Sequence, residues 1–201
     1  MRSIMNTAGI ALLAVALAAA APSAATGTED VPTALVIIDI QDFYFPGGAL
    51  PLVEPQAASR NAGRLLARFR ETGLPVVHVG HNASAGKEFH ADVQPAPGEE
   101  IVFKDEVNAF AGTDLLDRLH ERGIRRLVLC GMQTHMCLEG AARAAHDFGF
   151  DVVVVADACA TRDLKYGSTV VPAAEVHAAT LATLDRVYGR VVDTETALSE
   201  F

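Results

Sequence analysis

The sequence has no apolar run long enough to span a membrane, no excess of basic residues, and no cysteine spacing of the kind that holds a metal. It also has no repeat, low-complexity tract or linker that would divide it. Each absence excludes something. The uninterrupted apolar run over residues 8–21 is 14 residues long, against the roughly 20 needed to cross a bilayer. With Arg2 as the only charge before it and Pro22, Ser23, Ala24 and Ala25 after it, this run reads as a secretory signal over residues 1–25. The expectation is export to the periplasm or medium without a stable membrane anchor, and a single domain over residues 26–201. No cysteine lies near the cleavage region, which argues against a bacterial lipid anchor. Without residues 1–25, 15 Lys and Arg stand against 25 Asp and Glu, a net charge of −10. That sign is wrong for nucleic acid, and the scattered acids suit a solvated surface. Three cysteines, Cys130, Cys137 and Cys159, leave at least one thiol free in an exported chain. A Cys130–Cys159 disulfide stays open, although both residues end buried strands.

What the mature chain does have is alternation. Apolar runs at 34–40, 75–79, 101–104, 126–131, 152–157 and 191–193 read as strands. Their near-continuous apolar character suits a parallel sheet covered on both faces. Between them, Ala58, Ala62, Leu65, Leu66 and Phe69 mark the buried stripe of a helix ending at Gly73, before Pro75. Leu115, Leu116 and Leu119 mark a second helix ending at Gly123. A third runs from near Thr134 to Gly149, and a fourth from Pro172 to near Gly189. The fold class is therefore α/β, a three-layer α/β/α domain around a six-stranded, mainly parallel, Rossmann-like sheet, with a site at the carboxyl edge of its strands.

Three ionisable residues fall at that edge. Asp39 follows the run Ala34–Ile38, Lys104 ends Ile101–Phe103, and Cys137 lies beyond Leu127–Gly131. The last strand runs through Gly131 into a turn that presents Cys137 at the start of a helix, where Thr134 can serve as cap and the helix N-terminus lowers a thiol pKa from its free value near ~8.5. The other reading of Cys137 is a small buried hydrophobe. An Asp and a Lys supply what a thiol nucleophile needs, a base for its proton and a cation for the resulting anion.

The chain resembles the cysteine-hydrolase branch of the isochorismatase-like superfamily, which includes nicotinamidases and N-carbamoylsarcosine amidases, over nearly all of residues 33–193. The motifs are Asp39-Ile40-Gln41 with Tyr44-Phe45-Pro46-Gly47-Gly48, Lys104 with Asn108-Ala109-Phe110, and above all Cys130-Gly131-Met132-Gln133-Thr134-His135-Met136-Cys137. Asp157-Ala158-Cys159-Ala160-Thr161 and Val171-Pro172 through His177 support them. The resemblance implies a catalytic triad of Asp39, Lys104 and Cys137. It also implies a cis peptide between Met132 and Gln133, with the backbone amides of Gln133 and Cys137 forming an oxyanion hole. Tyr44, Phe45, Phe110 and Arg162 would line the substrate pocket, with Arg162 either clamping a substrate carboxylate or pairing with Asp163. Relatives commonly form dimers or tetramers, so a homo-oligomer is expected.

One departure bears on cofactors. Nicotinamidases carry an Asp-x-His metal motif after the second strand, whereas this chain reads His78-Val79-Gly80-His81-Asn82. The aspartate is missing, so no metal and no other cofactor is expected; His78, His81 and His90 gather in this region and could bind a metal, but core or solvated residues are the better reading of them. His135 beside Cys137 suggests a Cys-His dyad, but adjacent helical residues point apart. The expected function is hydrolysis of a carbon–nitrogen bond in a small amide, carbamoyl or lactam-like compound through a thioester. The alternatives are a hydrolase of another small-molecule bond, or a non-enzymatic binder or thiol sensor on the same fold.

Overall fold

The computed structural model describes residues 31–201; the secretory segment inferred for residues 1–25 lies outside them. Six strands make one sheet: β1 (Thr33–Ile38), β2 (Val76–His81), β3 (Glu100–Lys104), β4 (Arg126–Met132), β5 (Asp151–Ala160) and β8 (Arg190–Val192). Their order is β3-β2-β1-β4-β5-β8 and every neighbouring pair is parallel. The chain builds outward from β1 in one direction and then, from β4, in the other. The reversal leaves a crevice at the carboxyl ends of β1 and β4, the place where open α/β sheets bind ligands.

Burial on both faces explains the strand sequences. All six residues of β1 are buried, as are Leu127 to Met132 of β4. Alternate residues feed two cores. Helices α1 (Pro55–Thr72) and α5 (Thr194–Glu200) cover one face, where Leu35, Ile37, Val128 and Val153 meet Leu65, Leu66, Phe69 and Ala197. On the other face Val36, Ile38, Leu127, Leu129 and Val154 meet α2 (Leu115–Glu121), α3 (Glu139–Asp147) and α4 (Ala173–Leu184). Fully burying a side chain such as Leu65 or Phe69 contributes about 1.5–3 kcal/mol. The apolar stripe expected for α1 is the one buried. The helix ends at Gly73, which takes the left-handed conformation (φ 70°) while Leu74 donates back to the Phe69 carbonyl at 2.9 Å.

Several details differ from the sequence reading. The last long helix stops at Leu184 rather than near Gly189. Asp185 turns extended, Arg186 takes a left-handed φ of 70°, and the Asp185 carboxylate accepts from the Val191 amide at 3.2 Å, steering the chain into β8. A short hairpin of β6 (Leu164–Tyr166) and β7 (Thr169–Val171) and the helix α5 carry too weak an apolar pattern to be read in advance. Cys130 and Cys159 occupy opposite faces of the sheet, one in each core, and both are free thiols, so the disulfide left open above does not form.

Gly131 is the backbone device that shapes the crevice. Its φ is 131°, and a Cβ there would lie 2.0 Å from the Ile38 carbonyl oxygen on β1. Only glycine lets β4 approach β1 so closely at their carboxyl ends. The β4–β5 register also shifts between Leu129 and Gly131, re-aiming the chain as it leaves the sheet.

Candidate active site

Asp39 follows β1 with a φ of 52°, a left-handed conformation that aspartate tolerates better than most residues. Its amide donates to the Val79 carbonyl at 2.8 Å and its carbonyl accepts from the Gln41 amide at 2.9 Å. Lys104 is the last residue of β3, two strands away. Adjacent strands lie roughly 4.8 Å apart, so reaching β1 means bridging roughly 10 Å across the end of β2, a span suited to a lysine stem. It arrives with Nζ 2.8 Å from Asp39 Oδ2, and neither side chain is exposed. Lys104 Nζ also lies 3.3 Å from Cys137 Sγ.

Cys137 sits in a π-helical turn, Thr134–Leu138, between β4 and α3. The peptide between Met132 and Gln133 is cis. The Gln133 carbonyl accepts from the amides of Met136 (3.0 Å) and Leu138 (3.3 Å) and not from that of Cys137 between them. Thr134 is not the cap expected from the sequence; it is buried inside the turn, its hydroxyl 2.9 Å from His177 Nδ1.

Burial dominates the electrostatics. It raises the Asp39 pKa above the ordinary carboxylate value, against the pull of Lys104. Burial and the neighbouring Asp39 charge push the Cys137 thiol up to about 12, with Lys104 acting the other way. The thiol pKa is thus raised, where the helix N-terminus alone pointed to a lowered one. Desolvation is the larger influence, ahead of the Asp39 charge.

The Gln133 side chain links two more residues to this centre. It donates from Nε2 to the Tyr44 hydroxyl at 3.3 Å and accepts from Arg162 Nε at 3.2 Å. Burial raises the pKa of Tyr44. Arg162 makes no ion pair with the Asp163 carboxylate, which instead accepts from the Ala173 amide at 2.8 Å.

A family model for the isochorismatase domain matches residues 33–196. The chain belongs to the isochorismatase family of hydrolases. It is 42% identical to the isochorismatase family protein YddQ of Bacillus subtilis over 83% of this chain and 98% of that one. It is 30% identical to the maleamate amidohydrolase of Pseudomonas putida strain KT2440 over 83% of this chain and 85% of that one. A solved structure from Oleispira antarctica, a candidate isochorismatase hydrolase, superposes with a TM-score of 0.82 at 40% identity, covering 86% of this chain and 98% of the other.

Within this isochorismatase fold the remaining expected residues go to separate places. Phe45 stacks on His90 at 3.8 Å, and Phe110 packs edge-on to Phe148 at 5.3 Å, so each ring is tied into aromatic packing of its own. His78 is buried, and desolvation depresses its pKa although the Glu99 carboxylate 2.8 Å away pulls the other way. His135 turns to the Thr161 hydroxyl at 2.6 Å, away from any dyad. His81 does what the sequence reading missed, placing Nδ1 3.3 Å from Lys104 Nζ. Its signal was available, since it ends a strand at the same edge as Asp39 and Lys104. Among the described residues no three His, Cys, Asp or Glu side chains converge as a metal site would need. A recess of about 360 Å³ opens at the end of β5, lined by Glu54, Asn61, Asp157, Thr161 and His177 among others. The charged cluster does not line it.

Proposed function

We propose that this isochorismatase-family hydrolase cleaves the carbon–nitrogen bond of a small amide through a thioester on Cys137. The observation that carries this reading is the Lys104 ammonium set between the Asp39 carboxylate at 2.8 Å and the Cys137 sulfur at 3.3 Å, all three buried at the crevice between β1 and β4. Asp39, its basicity raised by burial, takes the thiol proton as sulfur bonds to the substrate carbonyl carbon. The carbonyl oxygen becomes an oxyanion, received by the amides of Gln133 and Cys137, and each such donor is worth about 3 kcal/mol in the transition state. The intermediate collapses as Asp39 returns the proton to the departing nitrogen. Water, deprotonated by Asp39, then adds to the thioester, the acid leaves, and the thiol regains its proton. Lys104 balances the negative charge throughout.

Arg162, which has no carboxylate partner among the described residues and is held by Gln133, suits a substrate that carries a carboxylate near its amide. Similarity to an amidohydrolase of maleamate supports the same bond type. The reading includes the absence of a metal, on the ground that the strand after Val79 lacks the aspartate of the nicotinamidase motif. It also includes export and assembly as a dimer or tetramer.

The test is intact-mass analysis and peptide mapping after incubation with a panel of small amides. A transient acyl adduct on Cys137, with hydrolysis lost in Cys137→Ala and kept in Cys130→Ser and Cys159→Ser, is the expected result. Full hydrolysis by a folded Cys137→Ala protein would refute it.

A further inference from the structure

An ammonium has three N–H donors and no acceptor, and this fold presents Lys104 with one acceptor for each. Two are Asp39 Oδ2 at 2.8 Å and Cys137 Sγ at 3.3 Å. The third is His81 Nδ1 at 3.3 Å, which the chemistry above leaves without a task. Its place follows from the sheet. His81 ends β2, the strand between those that carry Lys104 and Asp39, and it is the register partner of Lys104. Register partners on parallel strands send their side chains to the same face, so the lysine stem crosses toward β1 beside the imidazole.

The backbone at this point is held from both sides. The His81 amide donates to Gln41 Oε1 at 2.7 Å, and the His81 carbonyl accepts from Gln41 Nε2 at 3.1 Å. The next residue, Asn82, donates its amide to the Lys104 carbonyl at 2.9 Å. An imidazole nitrogen that faces an ammonium serves as the acceptor, which puts the ring proton on Nε2.

We propose that His81 is a positioning residue that sets the rotation of the Lys104 ammonium between Asp39 and Cys137; the proposal rests on the reading of Cys137 as nucleophile. By accepting one N–H, the imidazole leaves the other two aimed at the carboxylate and at the sulfur. Without that acceptor the ammonium turns toward Asp39, its stronger partner, and the sulfur loses the cation that steadies it as a thiolate. No proton passes to or from His81 in this role.

Three variants test it. His81→Leu and His81→Ala remove the acceptor, while His81→Asn offers an oxygen near the place of Nδ1. The first readout needs no substrate: the rate at which iodoacetamide alkylates Cys137 at one fixed pH, followed by the mass of the Cys137 peptide. We expect His81→Leu to slow alkylation about tenfold and His81→Asn to restore most of the rate, as for a charge displaced by a fraction of an ångström. With an amide that is turned over, kcat should fall by the same factor and KM should hold. His81→Ala replaces the leucine variant if thermal melting shows the latter unfolded. Wild-type alkylation in the variants without the acceptor would overturn the proposal. So would an equal loss in His81→Asn, which would mark packing rather than hydrogen bonding. If no amide is hydrolysed, the amidase reading fails, and the alkylation ratio still decides the role of His81.

Discussion

Replacing Lys104 with methionine removes a cation while keeping nearly the volume of its stem. Lys104 and Asp39 are both shut off from water and 2.8 Å apart, so the variant leaves a carboxyl group in the core without its counter-ion. Removing one partner of such a pair costs about 3–5 kcal/mol if the other stays charged. Asp39 has a cheaper course. Burial already raises its pKa, and Lys104 supplies the largest opposing influence; without the lysine it binds a proton on folding. The sign of the pH dependence follows. A carboxyl group whose folded pKa exceeds its unfolded one destabilises the fold increasingly as pH rises above the unfolded value of roughly 3.9. The slope reaches about 1.4 kcal/mol per unit and levels off past the folded pKa. Urea unfolding of Lys104→Met at several pH values should show stability falling with pH more steeply than in the wild type, with the two proteins closest near pH ~4. Adding Asp39→Asn removes the buried charge, and asparagine tolerates the left-handed backbone at that position. The double variant should lose the extra slope and recover most of the stability at neutral pH. Parallel pH profiles for wild type and Lys104→Met would refute the charge-pair reasoning.

Asp39→Asn alone should abolish turnover yet speed alkylation of Cys137, because the Asp39 charge raises the thiol pKa and Lys104 would then be opposed by burial alone; slower alkylation would show that the carboxylate does not set the sulfur's protonation. Gly131→Ala drives a Cβ against the Ile38 carbonyl at 2.0 Å and should cost about 2–4 kcal/mol in denaturant unfolding, so an unchanged midpoint would mean that β4 can retreat from β1. Arg162→Gln should raise KM for a carboxylate-bearing amide by about 10–100-fold, the worth of a charged hydrogen bond, and leave a neutral amide nearly unaffected. Equal effects on both would remove Arg162 from substrate recognition.

The parts of the fold that depend on local pattern were legible in the sequence. Apolar runs such as Leu127–Leu129 and Val152–Val155 announce buried parallel strands, and the stripe from Ala58 to Phe69 announces α1 and its stop at Gly73. Asp39, Lys104 and Cys137 stood out by one rule, position at the end of a strand. What depends on packing across the fold was not legible. The place of His81 at the strand edge was readable, but its contact with Lys104 depends on the register in which β2 and β3 pair, and no local signal fixes that register. Arg162 finds the Gln133 side chain rather than the Asp163 carboxylate, which is drawn to the Ala173 amide. The direction of the Cys137 pKa shift was misjudged because a helix end is visible in sequence while the depth of burial is not.

Asp39 and Lys104 are 65 residues apart in the chain, and Lys104 and Cys137 are 33 apart. No stretch of local structure contains two of them, so the charged cluster exists only when β3, β2, β1 and β4 have all taken their places side by side in the sheet. On the proposed mechanism, catalysis is then a reporter of assembly. If the chain were divided in the loop between β3 and α2, one fragment would hold Asp39 and Lys104 and the other Cys137. Neither fragment should be active by itself, and recovered hydrolysis on mixing would time the joining of the two halves.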